Sequence, residues 1–128
     1  MKRILIDTNI YSHAFRGDED VIRILRKADE IGFSVISIGE LFAGFKDGGR
    51  EKDNIEELEE FLDSPRGVVY KVDDQTSGFY ANVLDNLKKA GTPIPTNDIW
   101  IAAIAFQHGL KLFTKDSHFQ HVSGLSLV

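Results

Sequence analysis

The chain has 128 residues, no cysteine, and 15 basic against 20 acidic side chains, a formal charge of −5 at neutral pH. That length suits one domain, residues 1–128, with enough core to need no staples. Disulfides and thiolate metal sites are excluded, no apolar run approaches the ~20 residues of a membrane span, and the acidic balance argues against gripping nucleic acid by bulk positive charge.

The start, Met1-Lys2-Arg3 followed by Ile4-Leu5-Ile6, is too short in its apolar part for a signal peptide, and Asp7 ends it. A soluble, cytoplasmic protein is expected. Lys2 to Ile6 reads as a short buried strand. Asp18 to Ile31 reads as a helix, with Val21, Leu25, Ala28 and Ile31 at helical spacing, acids at its N-terminus, and Gly32 to stop it. Phe33 to Ile38 is expected as a second strand, with a helix following through Glu40, Leu41 and Phe42. Gly44 to Asn54, containing Gly44, Gly48, Gly49 and several charges, reads as a mobile loop. Ile55 to Leu62 is a short charged helix, and Val68 to Val72 a third strand. Asp74 to Ala90 is a longer helix with Tyr80, Val83, Leu84 and Leu87 on one face, before Gly91, Pro93 and Pro95 break the chain. Asn97 to His108 is helical and ends at Gly109; Leu110 to Thr114 is a fourth strand and Leu125 to Val128 a fifth. Strands alternating with helices call for an α/β fold, a parallel sheet with helices on both faces.

Four acids stand out by position. Asp7 directly follows the first strand, Glu40 lies just after the second, Asp98 falls in the first turn of the late helix, and Asp116 follows the fourth strand. Each has an ordinary reading. Asp7 suits a turn, Asp98 suits the helix dipole, Asp116 suits a loop, and Glu40 completes a capping box with Ser37. Together they share one property: in a parallel sheet, strand C-termini and helix N-termini lie on one edge, where ligands bind. Carboxylates gathered there repel one another unless protonated or metal-bound. Hard oxygen donors favour Mg²⁺ or Mn²⁺. Bound ions would also offset most of the negative surplus, so the charge does not exclude a nuclease. His13, His108, His118 and His121 are scattered and give no ligand pattern of their own.

The ordered set Leu5-Ile6-Asp7-Thr8-Asn9, Ser37-Ile38-Gly39-Glu40-Leu41, Asn97-Asp98-Ile99-Trp100-Ile101-Ala102-Ala103 and Leu112-Phe113-Thr114-Lys115-Asp116 with Phe119 resembles the PIN-domain ribonucleases, and within them the VapC toxins of toxin–antitoxin pairs. The resemblance spans nearly the whole chain. It implies a single PIN-like domain with a five-stranded parallel sheet in the order 3-2-1-4-5. It implies that Asp7, Glu40, Asp98 and Asp116 form the acidic quartet, with Asn9 and Thr114 in support. Where many relatives carry a further acid after the fourth, this chain has Ser117 and His118. The implied activity is Mg²⁺- or Mn²⁺-dependent hydrolysis of RNA, with tRNA the expected target, leaving a 5′-phosphate and a 3′-hydroxyl. The implied partners are a VapB-type antitoxin and a second copy of the chain.

Two further expectations attach to particular residues. Lys46, Arg50 and Lys52 form a local basic arm for phosphate contacts. Tyr11, Phe15, Leu41, Phe42, Phe45 and Phe61 build an apolar groove for the antitoxin. The alternatives are a receiver-like Mg²⁺-binding signalling domain, which calls for paired acids after the first strand, and a catalytically silent PIN-fold binding module.

Overall fold

The computed structural model describes residues 2–128. Its elements run β1 (Arg3–Ile6), α1 (Thr8–Phe15), α2 (Glu19–Lys27), β2 (Glu30–Ser34), α3 (Val35–Lys46), α4 (Glu51–Leu62), β3 (Gly67–Tyr70), α5 (Asp74–Ala90), α6 (Thr96–His108) and β4 (Lys111–Phe113), then a 3₁₀ turn over Ser117–His121. The four strands form one sheet in the order β3-β2-β1-β4, with every pairing parallel.

Alternation along the central strand sorts the core into two layers. Ile4 and Ile6 pack with α1 to α4, around Ile10, Val21, Phe33, Leu41 and Leu58. Leu5 points the other way, into α5 and α6, with Val83, Leu87, Ala102, Leu112 and Phe119. This is the expected sheet with helices on both faces.

The fifth strand is corrected to a single bridge. Leu127 pairs with Leu112 alone, through Leu112 N–H to the Ser126 carbonyl at 2.8 Å and Val128 N–H to the Leu112 carbonyl at 2.9 Å. The segment lies beside β4 as the order 3-2-1-4-5 requires, but β4 itself is only three residues long and offers little ladder.

Boundaries shifted where tertiary pairing overrides local periodicity. The helix expected to reach Ile31 ends at Lys27, because Asp29 and Glu30 donate to the Lys2 carbonyl and Ile31 pairs with Ile4 across the sheet. Gly32 therefore sits inside β2 instead of stopping a helix. A Cβ there would lie 2.6 Å from the Tyr70 ring, so the glycine makes room for that side chain. Phe33 to Ile38 is likewise divided. Ser34 is the last strand residue and also the N-cap of α3, its hydroxyl accepting from Ser37 N–H at 3.1 Å. The expected loop over 44–54 is mostly helical: α3 continues through Gly44 to Lys46, and α4 begins at Glu51, with the Lys46–Glu51 ion pair (2.9 Å) spanning the turn.

Candidate active site

β1 ends at Ile6, whose register partners are Phe33 in β2 and Phe113 in β4. The residues that follow these three strands therefore emerge together at one edge. Asp7 leaves β1 and caps α1, its Oδ1 accepting from Ile10 N–H at 3.1 Å. Its Oδ2 accepts from the Thr114 hydroxyl just beyond β4. Thr114 also accepts from Asp116 N–H at 2.9 Å, so one hydroxyl ties the first carboxylate to the loop that carries the last.

Glu40 lies in the second turn of α3, away from the cap. Ser34 is the cap, accepting from Ser37 N–H and donating its hydroxyl to Ser37 Oγ, so Ser37 is not the N-cap of a box with Glu40, whose carboxylate faces the edge instead. Thr8 donates to one oxygen at 2.6 Å and Asn97 to the other at 3.4 Å. Asp98 occupies the first turn of α6, and Asp116 caps the 3₁₀ turn through a bond from His118 N–H at 2.9 Å.

All four acids line one cleft of about 480 Å³ with Thr8, Asn9, Asn97 and His118. No lysine or arginine lines it among the described residues. The electrostatic result is visible at two carboxyls. Burial pushes Asp98 up to about 6, and the charge of Asp116 adds to this, against a bond from His118. Asp7 is also raised, first by burial, with the Thr114 and Ile10 bonds pulling the other way. An acidic, oxygen-rich cleft without a lining Lys or Arg is what a divalent cation would compensate, so the donor set fits such an ion.

Each of the four acids, with Asn9 and Thr114, therefore stands at this edge. The basic arm does not. Lys46 pairs with Glu51 and Arg50 with Asp53 and Glu57, and none of Lys46, Arg50 or Lys52 lines the cleft. In the apolar groove, Tyr11 and Leu41 belong to the core, while Phe15 (51%) and Phe42 (38%) are exposed. Sequence reasoning passed over three contributors. Thr8 and Asn97 matter only as donors to Glu40, a contact that no sequence spacing announces. His118 was given no role, although its place two residues after Asp116 suits an Asx-type turn that brings it back to that acid.

In an open parallel α/β sheet the strand C-terminal edge is where ligands bind, and here four acids line it. Residues 4–125 match the PIN domain family, and the chain belongs to it. Its place within the family is with the VapC proteins. It is 30% identical over 128 residues to Ribonuclease VapC2 of Haemophilus influenzae, covering 98% of this chain and 96% of that one. It is 27% identical over 130 residues to Ribonuclease VapC4 of Mycobacterium tuberculosis, covering 100% and 97%. The structure of VapBC-1 from nontypeable Haemophilus influenzae superimposes with a TM-score of 0.86 at 26% identity, covering 98% and 96%. The receiver-like alternative is set aside, since Asp7 has no acidic neighbour at the end of β1.

Proposed function

We propose that this protein is a metal-dependent endoribonuclease and the toxin of a VapBC-type pair. The observation that carries the reading is the convergence of Asp7, Glu40, Asp98 and Asp116 from separate elements on one cleft that no Lys or Arg lines among the described residues. A bound Mg²⁺ or Mn²⁺ would supply Lewis acidity and acidify its own water. The chain's part is to hold the donors in place. Thr114 and the α1 amide fix Asp7, Thr8 and Asn97 fix Glu40, and the first turn of α6 presents Asp98. Hydrolysis places the water oxygen on phosphorus and breaks the P–O3′ bond, leaving a 5′-phosphate and a 3′-hydroxyl. The expected substrate is tRNA.

The antitoxin reading is supported by structural neighbours that are VapBC complexes and by the exposed Phe15 and Phe42. A second copy of the chain is the other expected partner. No described helix is long and apolar enough to cross a membrane.

The test is cleavage of a tRNA pool by the purified chain with Mg²⁺, with Mn²⁺ and with EDTA. Cleavage that EDTA abolishes and that Asp7→Asn, Glu40→Gln, Asp98→Asn and Asp116→Asn each remove supports the reading. A folded wild-type chain that cleaves no RNA under any of these conditions overturns it in favour of the silent binding module.

A further inference from the structure

The backbone at His118 is held by its neighbours, not by the packing of its own ring. Its neighbour Phe119 is buried in the core at 1% exposure, and Asp116 caps the turn from the other side, so the backbone is anchored on both flanks. The imidazole itself remains 46% exposed. Its Nδ1 lies 3.2 Å from Asp98 Oδ2 and 3.0 Å from Asp116 Oδ1. One atom from each of the three residues falls within 4.8 Å of the other two.

A hydrogen bond explains only half of this. Nδ1 carries at most one hydrogen, which cannot point straight at two oxygens at once. A cation between the three atoms would satisfy all of them together. An octahedral ion with bonds of about 2.1 Å sets neighbouring ligand atoms about 3.0 Å apart. The two Nδ1–oxygen separations are close to that edge length.

We propose that His118 Nδ1 is an inner-sphere ligand, beside Asp98 and Asp116, of the divalent cation in this cleft, and that it biases the site toward Mn²⁺ over Mg²⁺. The inference rests on the metal-dependent reading above and deepens it. Imidazole is a poor partner for Mg²⁺, which prefers oxygen and retains its waters, whereas transition ions accept nitrogen readily. The quartet supplies only oxygen donors, so a nitrogen from His118 is the feature that distinguishes the two ions here.

The experiment is Mn²⁺ titration of the full-length chain followed by electron spin-echo spectroscopy for nitrogen coupling, with calorimetric affinities for Mn²⁺ and Mg²⁺. Wild type, His118→Ala and His118→Asp are compared after circular dichroism confirms that each is folded. The expected result is imidazole ¹⁴N modulation in the wild type and its loss in both variants. The Mn²⁺-to-Mg²⁺ affinity ratio should fall about tenfold in His118→Ala, the lower end of ligand-shell effects. His118→Asp should bind both ions and shift the preference toward Mg²⁺. Bound Mn²⁺ without nitrogen coupling in the wild type, coupling that survives in the variants, or an unchanged affinity ratio overturns the role of His118. In those cases EDTA-sensitive cleavage leaves the nuclease reading standing. A wild-type chain that binds no Mn²⁺ overturns this inference and the metal dependence together.

Discussion

Asp98 bears the clearest cost of gathering acids on one edge. Its folded carboxyl is pushed to about 6 by burial and by Asp116, so the ionised form is less favourable folded than unfolded. The sign for stability follows from proton linkage. Between the ordinary aspartate range and pH 6 the native metal-free protein holds more proton than the unfolded chain, so its stability falls as pH rises through that window. Chemical denaturation in EDTA from pH 4 to 7 should show that decline, and Asp98→Asn should flatten it. A decline of the same size in Asp98→Asn would assign it to another group. At this scale the acids themselves were legible, because Asp7 directly follows a strand, Asp98 opens a helix, Asp116 lies just past β4, and Glu40 lies soon after the second strand. The side chains that hold them were not. Thr8 reaches Glu40 across 32 positions and Thr114 reaches Asp7 across 107, distances that no local pattern encodes.

Among the elements, α5 was readable to the residue, Asp74–Ala90, since an Asp73 cap opens it and Gly91 in the left-handed region closes it. The junction of α2 and β2 was not, because its deciding contacts lie elsewhere in the chain. Arg66 donates to the carbonyls of Leu25 and Ala28 at 2.8 Å each, closing the end of α2 from a loop 41 and 38 residues away. Ile31 is then claimed by β1, against its helical spacing with Ala28. Gly32 is the tightest point of that junction. A methyl group would meet the Tyr70 ring at 2.6 Å and the Ile4 carbonyl at 3.1 Å. Tyr70 is buried and bonded to Glu30 at 2.5 Å, so it cannot swing clear without losing that bond. Gly32→Ala should cost about 1–3 kcal/mol by overpacking, read as a lower urea midpoint with unchanged slope. An unchanged midpoint would mean that the ring relaxes freely.

For the whole molecule, the two faces of the sheet divide the work. The α5–α6 layer leaves Phe79 at the surface, while the α1–α4 layer leaves Phe15, which stacks on the Tyr11, Phe33 and Phe61 ring cluster, and Phe42, which lies against Phe45. If that face receives the antitoxin, Phe15→Asp together with Phe42→Asp should reduce co-purification with the product of the neighbouring reading frame while RNA cleavage persists. Retention of full co-purification would move the partner to another surface. The sheet order has a further consequence in time. β1 is central, yet its β4 neighbour comes more than a hundred residues later, and the Thr114 bond to Asp7 spans 107 positions. A chain still on the ribosome that has emerged only as far as α6 carries Asp7, Glu40 and Asp98 but neither Thr114 nor Asp116. The acidic edge is completed only once β4 and the turn after it have been made, so the growing domain lacks it for as long as β1 to α6 are emerging.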